Sequence, residues 1–139
     1  MSTLADDVLA IQNLKGLYCA VADSAADDPE GALAAFRSDV FLPDVTADYG
    51  FDPVMEGVDA LGRFLCTAIA GNSEWVLHMI HTPMIQIDGD TAKGDWTVMA
   101  HLKRRESGQV DVVRGRYSDT FRRTPKGWRV ARVTFTRLT

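Results

Sequence analysis

The sequence contains few of the residues on which several protein classes depend. Only two of its 139 residues are cysteines, Cys19 and Cys66, and both lie in apolar, helix-like stretches. This context favours buried free thiols in a reducing, cytoplasmic compartment over a disulfide framework. The three histidines are His78, His81 and His101, and they show no metal-ligand spacing, because residues three apart on a strand point to opposite sides. We therefore expect no metal site.

Long apolar runs and strongly basic regions are also lacking. No stretch is apolar for long enough to span a bilayer, and the N-terminus does not show the basic-then-apolar order of a signal peptide. The net charge is -4, and the one basic cluster, Lys103-Arg104-Arg105, is followed by Glu106, as in a solvated hairpin end. We expect no nucleic acid and no membrane as partners. Without a P-loop, a dinucleotide fingerprint or a GxSxG motif, we also expect no cofactor.

The composition is that of one globular domain spanning residues 1–139. The chain is 46% hydrophobic and 24% charged, and no repeat or linker divides it. Apolar residues recur at spacings of three and four in the first half, which predicts three helices over residues 4–23, 27–36 and 57–70. Residues 40–42 are a short strand candidate, and residues 47–55, rich in Asp, Gly and Pro, predict a loop.

From Glu74 onward the pattern is typical of strands separated by glycine-containing turns. The predicted strands cover residues 75–81, 84–87, 92–103, 110–122 and 128–137. Helices followed by an antiparallel meander indicate an α+β fold, with three helices packed on one face of a curved antiparallel sheet. Such a cone-shaped α+β barrel encloses a pocket that suits a small hydrophobic ligand.

His78 is the most informative residue in this pattern. Alternation places it on one face of its strand with Val76 and Ile80, while His81 lies on the other face. Histidine packs poorly against a sheet, but it carries protons well because its ordinary pKa of about 6.5 lies near working pH. The alternative is a core histidine whose ring bonds to a backbone carbonyl. For His81, beside Pro83, we expect a structural or surface role.

Three further polar residues lie in apolar contexts. Asp23 ends the first helix, where the helix dipole disfavours an acid, so it either orients a histidine or belongs to a polar loop. Tyr18 lies on the apolar stripe of the helix and is either a core residue or a pocket residue. Arg137 alternates with Val133 and Phe135, and it is buried and paired, at a cavity mouth holding an anion, or a terminal surface residue.

These residues together resemble a known family. The segment Ile11–Tyr18 followed by Asp23, the segment His78–Pro83, and an Arg nine residues after Trp128 are similar to the SnoaL-like branch of the nuclear transport factor 2-like superfamily. The branch includes polyketide cyclases, scytalone dehydratase and bile-acid 7α-dehydratase, and the motifs of the last are the most similar. The resemblance covers nearly the whole chain and implies the fold predicted above.

The resemblance also implies roles for individual residues. His78 would be the catalytic base, Asp23 its partner, and Tyr18 and Arg137 polar groups of the pocket. The bile-acid enzyme carries an Asp four residues after its matching Trp, whereas this chain has Ala100 there, so bile-acid dehydration itself is not expected. The residues that we expect to bind substrate are Trp96, Ala100, Tyr117, Phe135 and Tyr49, although Trp96 also suits packing within the sheet.

We therefore predict a lyase or isomerase of dehydratase type that removes a proton near the carbonyl of a hydrophobic polycyclic or aromatic molecule. The alternative is a non-catalytic small-molecule-binding or assembly domain of the same fold. The loop at residues 48–53 is either a lid or a plain surface loop. Three helices cannot cover both faces of so long a sheet, so we also expect a homodimer or homotrimer through its outer face. The apolar residues distributed over both faces of the sheet are Leu77, Met79, Ile85, Ile87 and Val112.

Overall fold

Three helical regions precede the long strands in a computed structural model that describes all residues from Met1 to Thr139. Helix α1 spans Leu4–Ser24, α2 spans Pro29–Ala35 and continues as a π-helical turn to Val40, and α3 spans Val58–Arg63 and continues through a π-helical and a 3₁₀ turn to Asn72. The predicted helices are confirmed. None of the helices combines the length and the apolar character needed to cross a membrane.

The helix starts follow from local sequence. The Thr3 hydroxyl accepts a hydrogen bond from the Asp6 backbone N–H, and the Asp6 carboxylate accepts one from the Thr3 N–H, which is a capping box at the start of α1. Asp28 caps α2, whose first residue is Pro29, a residue that needs no intrahelical hydrogen-bond donor there. These caps fix where α1 begins and how the chain turns into α2.

Six strands form one sheet in the spatial order β2-β1-β6-β5-β4-β3. The strand bounds are β1 Phe41–Asp48, β2 Met55–Glu56, β3 Ser73–Asp88, β4 Thr91–Arg104, β5 Val110–Thr124 and β6 Gly127–Leu138. Strands β3 to β6 form the predicted antiparallel meander, but β1 pairs parallel to β6. The expected antiparallel sheet is therefore mixed, and it is an open half-cone rather than a closed barrel, because β2 and β3 lie at its two free edges.

Two predicted boundaries need correction. The strands expected at 75–81 and 84–87 are one 16-residue strand, β3, whose pairing with β4 shifts register between His81 and Met84. Thr82, at this irregularity, has a φ of 49°. Pro83 can donate no ladder hydrogen bond, which accounts for the expected break, but a bulge absorbs it without ending the strand. The strand expected at 40–42 runs on to Asp48, so the following loop begins at Tyr49.

The main core lies between α1 and the inner face of the sheet. Ile11 and Tyr18 of α1, Phe36 after α2, and Phe121 and Val130 of the sheet are almost fully buried in it. Leu4, included in the apolar spacing, is exposed at the first turn of α1. The buried face of α1 carries its last turn against β3, where the candidate site lies.

Candidate active site

His78 and Asp23 form a direct pair between β3 and the last turn of α1. The Nδ1 atom of His78 lies 2.6 Å from Oδ1 of Asp23. The backbone N–H of His78 also donates to both carboxylate oxygens of Asp23, each at 3.2 Å. Both side chains are mostly shielded, with 12% of His78 and 21% of Asp23 exposed. The carboxylate thus holds both the backbone and the ring of the histidine.

This pairing determines which ring nitrogen is available. An ionised carboxylate only accepts hydrogen bonds, so the Nδ1 of His78 carries the proton that it donates to Asp23. In the neutral ring, Nε2 then keeps its lone pair. The unfavourable position of Asp23 at the C-terminal end of α1 is offset by these three hydrogen bonds. The arrangement is that of a general base with an orienting carboxylate.

The ring of His78 faces an apolar cavity between the helices and the inner face of the sheet. The cavity holds about 460 Å³ of empty space, its open mouth included. His78 is its only lining residue that is neither apolar nor aromatic, and Ala100 lies directly opposite it in the register of β3 and β4. The lining consists of Tyr49, Ile69, Val76, His78, Val98, Ala100, Leu102, Val113, Tyr117 and Phe135. An apolar lining with one polar side chain is typical of small-molecule sites.

All three tyrosines of the chain meet at one end of this cavity. The hydroxyl of Tyr18 is hydrogen-bonded to the hydroxyl of Tyr49 and lies 3.4 Å from that of Tyr117. The rings of Tyr18 and His78 are edge-to-face, with centroids 6.5 Å apart. Burial raises the pKa of all three phenols, most strongly those of Tyr18 and Tyr117. The cluster therefore stays protonated and can donate hydrogen bonds near neutral pH.

Behind the tyrosines lies a fully buried ion pair that the sequence interpretation did not include. Lys15 Nζ is 2.7 Å from Asp119 Oδ2, and neither side chain is exposed to solvent. The alignment is not that of a well-directed hydrogen bond, and the ammonium also lies against two ring faces, 3.4 Å from the Tyr117 centroid and 3.9 Å from the Tyr18 centroid. Burial raises the pKa of Asp119, although Lys15 opposes the effect.

The structure brings most, but not all, of the predicted site residues together. Tyr49, Ala100, Tyr117 and Phe135 line the cavity as expected for binding residues, and Tyr18 reaches it through its hydroxyl contacts. Tyr49 belongs to the loop that we interpreted as either a lid or a plain surface loop, and it lines the cavity. His81 is exposed, as expected for a structural or surface residue.

Arg137 and Trp96 do not line the cavity. Arg137 shares the inward parity of Phe135 but is exposed near the end of β6, and its guanidinium forms no hydrogen bond or ion pair with another residue. Trp96 is buried deeper in the core, edge-to-face with Phe121 and against Gly94, where a side chain on the glycine would clash with the indole. Alternation along the strands correctly predicted that both side chains lie on the inward face. Their positions along the strands are too far from the cavity for either residue to line it.

A sequence signal for the missed ion pair does exist. Lys15 follows Ile11 by four residues and precedes Tyr18 by three, so it lies on the buried stripe of α1. Asp119 alternates with Tyr117 and Phe121 on the inward face of β5. No group of three or more His, Cys, Asp or Glu side chains is arranged as metal ligands would be.

Comparison with known proteins gives a family match over most of the chain. A family model described as a SnoaL-like domain matches residues 3–134. The chain is similar to the crystal structure of a proposed aromatic ring hydroxylase from Novosphingobium aromaticivorans, at 28% identity and a TM-score of 0.83, covering 99% of this chain and 93% of that one. No curated protein matches the chain.

Two further solved structures from the same organism share the fold. An NTF2-like protein with a cystatin-like fold is 26% identical, with a TM-score of 0.71, covering 97% of this chain and 84% of that one. A proposed scytalone dehydratase is 19% identical, with a TM-score of 0.81, covering 95% and 84%. At that lower identity the similarity shows the fold alone. The expected α+β architecture is confirmed.

Proposed function

The chain belongs to the SnoaL-like domain family, and from this premise we propose that it is a cofactor-independent proton-transfer enzyme of dehydratase or isomerase type. Its substrate would be a hydrophobic polycyclic or aromatic molecule with a carbonyl group. The observation that carries the proposal is the 2.6 Å contact between His78 and Asp23 at the wall of an apolar cavity. A packing histidine needs no buried carboxylate to orient its ring.

The first step is removal of a proton by His78. Its Nε2 lone pair takes the proton from a carbon next to, or conjugated with, the carbonyl group, and the electrons of the broken C–H bond move into an enolate. Asp23 keeps the ring in the correct tautomer and stabilises the imidazolium that forms. The shielding of both side chains strengthens this interaction, because charges interact more strongly away from bulk water.

The tyrosine cluster would bind the substrate oxygen. Its three hydroxyls carry three protons, but only two hydroxyl contacts are present within the cluster. At least one O–H therefore remains free to donate to a substrate oxygen. Two of the three tyrosines, Tyr49 and Tyr117, line the cavity in which that oxygen would lie. A carbonyl oxygen placed there gains a stronger hydrogen bond as negative charge develops on it.

Two outcomes complete the reaction with atoms and charge in balance. In a dehydration, the enolate expels a hydroxyl group from the β-carbon, and the proton held on Nε2 of His78 leaves with that hydroxyl as water. In an isomerisation, the same proton returns to a different carbon of the conjugated system. Ala100 provides no acid for the leaving group, so protonated His78 has to supply the proton itself.

The substrate class follows from the lining of the cavity. Apart from His78 and the tyrosine hydroxyls, its walls offer only hydrocarbon and aromatic surface. Such walls favour an apolar ring system with a single polar end. The names of two similar structures, an aromatic ring hydroxylase and a scytalone dehydratase, are consistent with an aromatic or partly aromatic substrate.

One observation favours a second candidate function. Ala100, directly across the β3–β4 ladder from His78, leaves the cavity without a second acid. A domain of this fold that binds an apolar ligand without transforming it would also have such a cavity. The two functions differ in a single property, which is proton exchange on a bound ligand.

Deuterium exchange on 2-tetralone tests the proposal. This bicyclic ketone has acidic protons beside its carbonyl, and their replacement in D₂O can be followed by NMR. We expect the wild-type protein to accelerate the exchange and His78→Gln to lower the protein-catalysed rate by roughly 100-fold to 10,000-fold. His81→Gln changes an exposed histidine on the same strand and serves as the matched control. Binding without accelerated exchange would favour the non-catalytic function.

We also propose that the outer face of the sheet joins copies of the chain into a homodimer or homotrimer. Trp75 and Leu77 of β3 are large apolar residues that are 40% and 49% exposed. Met79 and Met99 face each other in the adjacent ladder. Large apolar side chains exposed on a sheet face suit a protein–protein contact.

A further inference from the structure

The Lys15–Asp119 pair has no part in the proton transfer described above, yet it adjoins the cavity tyrosines. Neither residue is exposed, and taking two charges out of water costs several kcal/mol per ion, which hydrophobic residues of similar size would avoid. The ammonium lies against the faces of Tyr18 and Tyr117, and the carboxylate that holds it is on the same inward face of β5 as Tyr117.

The ammonium of the pair is in direct contact with two tyrosine rings. Lys15 Nζ is 3.4 Å from the centroid of Tyr117 and 3.9 Å from that of Tyr18. Cations close to a ring face are attracted by its π electrons, which also fixes the position of the ring. The hydroxyls of Tyr18 and Tyr117 lie 3.4 Å from each other, and Tyr117 lines the cavity.

We propose that Lys15, held by Asp119, is a positioning and electrostatic residue that makes the tyrosine cluster a site for an oxygen bearing negative charge. The ammonium fixes the Tyr18 and Tyr117 rings, and its positive charge opposes the effect of the Asp119 carboxylate, whose negative charge disfavours an anion at Tyr117. The ligand oxygen is an enolate or a phenolate at the end of an apolar ring system. The inference rests on the proposed function, because an enolate forms there only if His78 removes a proton.

The geometry explains why the cation lies behind the rings. A lysine in the cavity would be hydrated and would bind any anion, including inorganic ones. The Lys15 ammonium instead lies against two phenol rings and acts on the ligand through their O–H groups. These O–H groups donate best to an oxygen that is placed in line with them. Preorganised donors in a water-poor site cost little reorganisation when charge develops on the substrate.

Binding of 4-nitrophenol tests the inference without any turnover. Its ionised form is coloured and it ionises near neutral pH, so the fraction bound as phenolate can be read directly by absorbance titration. The measurement is made in the His78→Gln background, where the imidazole cannot take the proton. The variants are Lys15→Met with Asp119→Leu, which removes both charges and leaves no unpaired ion, and Lys15→Arg, which keeps the cation.

We expect the His78→Gln pocket, which keeps Lys15 and Asp119, to favour bound phenolate over phenol relative to free 4-nitrophenol. The double variant should fold and lower this ratio by about tenfold, because Tyr18 and Tyr117 lose the cation that lies against their ring faces and fixes the position of their hydroxyls. Lys15→Arg should retain most of the preference. A role in packing alone would leave the ratio unchanged in a folded double variant.

Three results would overturn the inference. They are an unchanged phenolate preference in the folded double variant, an equal loss in a folded Lys15→Arg, and no binding of 4-nitrophenol to a pocket that still has Lys15. If Lys15→Arg does not fold, the wild-type and double-variant comparison decides. Loss of 2-tetralone exchange in His78→Gln tests the proposed function separately, so the two can fail independently.

Discussion

Replacing Lys15 by methionine leaves the carboxyl group of Asp119 buried among aromatic rings with no counter-charge. In the structure the two groups are 2.7 Å apart and wholly shielded from water. Methionine has a similar length and is apolar, so the change removes the charge with little change in packing. The carboxyl group must then either stay ionised in a low-dielectric site or take up a proton.

The expected loss of stability is large for one substitution. Removing one partner of a buried pair typically costs about 3–5 kcal/mol of unfolding free energy. Single domains have about 5–15 kcal/mol in total. At roughly 2–4 °C per kcal/mol for a chain of this size, Tm should fall by about 6–20 °C.

Urea unfolding followed by tryptophan fluorescence measures this loss. The matched control is Lys126→Met at an exposed turn, which should change stability by less than about 0.5 kcal/mol. Adding Asp119→Leu to Lys15→Met should restore most of the stability, since it removes the unpaired charge. If Lys15→Met costs no more than the Lys126 control, the pair is not buried as described and the reasoning fails.

Three other predictions follow from titratable and exposed groups. All three tyrosines are buried in one cluster with raised pKa values, so an ultraviolet titration of the native protein should show no phenolate step near pH 10, and a resolved step would contradict the cluster. Stability that depends on these protonated phenols should be lost as pH rises above about 10. Hydrogen bonds from Arg123 hold the pKa of Asp7 well below its usual range, so the stability that Asp7 contributes is present at pH 7 and lost as pH falls below about 4. Asp7→Asn should therefore be less stable at neutral pH, with a gap that narrows in acid; a gap independent of pH would exclude this contribution. Leu77→Glu should yield monomers in sedimentation at low micromolar concentration, and a wild type that is already monomeric would remove the proposed interface.

Local patterns predicted much of the fold. The spacing of apolar residues in α1 and the alternation in β4 to β6 are consequences of helix and strand geometry, so the sequence displays them directly. The parallel pairing of β1 with β6 joins segments about 90 residues apart, and no local pattern reports such a pairing. The bulge at Thr82 was missed because a proline is tolerated within a strand chiefly at a sheet edge, and the sequence does not show that β3 is an edge strand.

The site was predictable only in part. Residue type and family resemblance identified His78 and Asp23, which α1 and β3 bring together. Alternation of side chains predicted that Arg137 and Trp96 lie on the inward face of the sheet. It does not report how far along its strand a residue lies from the cavity. Lys15 was overlooked because lysine is almost never fully buried unless it is paired, and its partner Asp119 is more than 100 residues away.

The central claim is that His78 and Asp23 act as one proton-transfer unit, and the exchange of 2-tetralone protons tests it across four proteins. These are the wild type, His78→Gln, Asp23→Asn and the double variant, all shown to be folded. We predict that His78→Gln removes most of the catalysed rate, that Asp23→Asn lowers it by a smaller factor, and that the double variant is no slower than His78→Gln alone, because residues that act as a unit are not additive. A catalysed rate that survives His78→Gln, or losses that multiply in the double variant, would contradict the account.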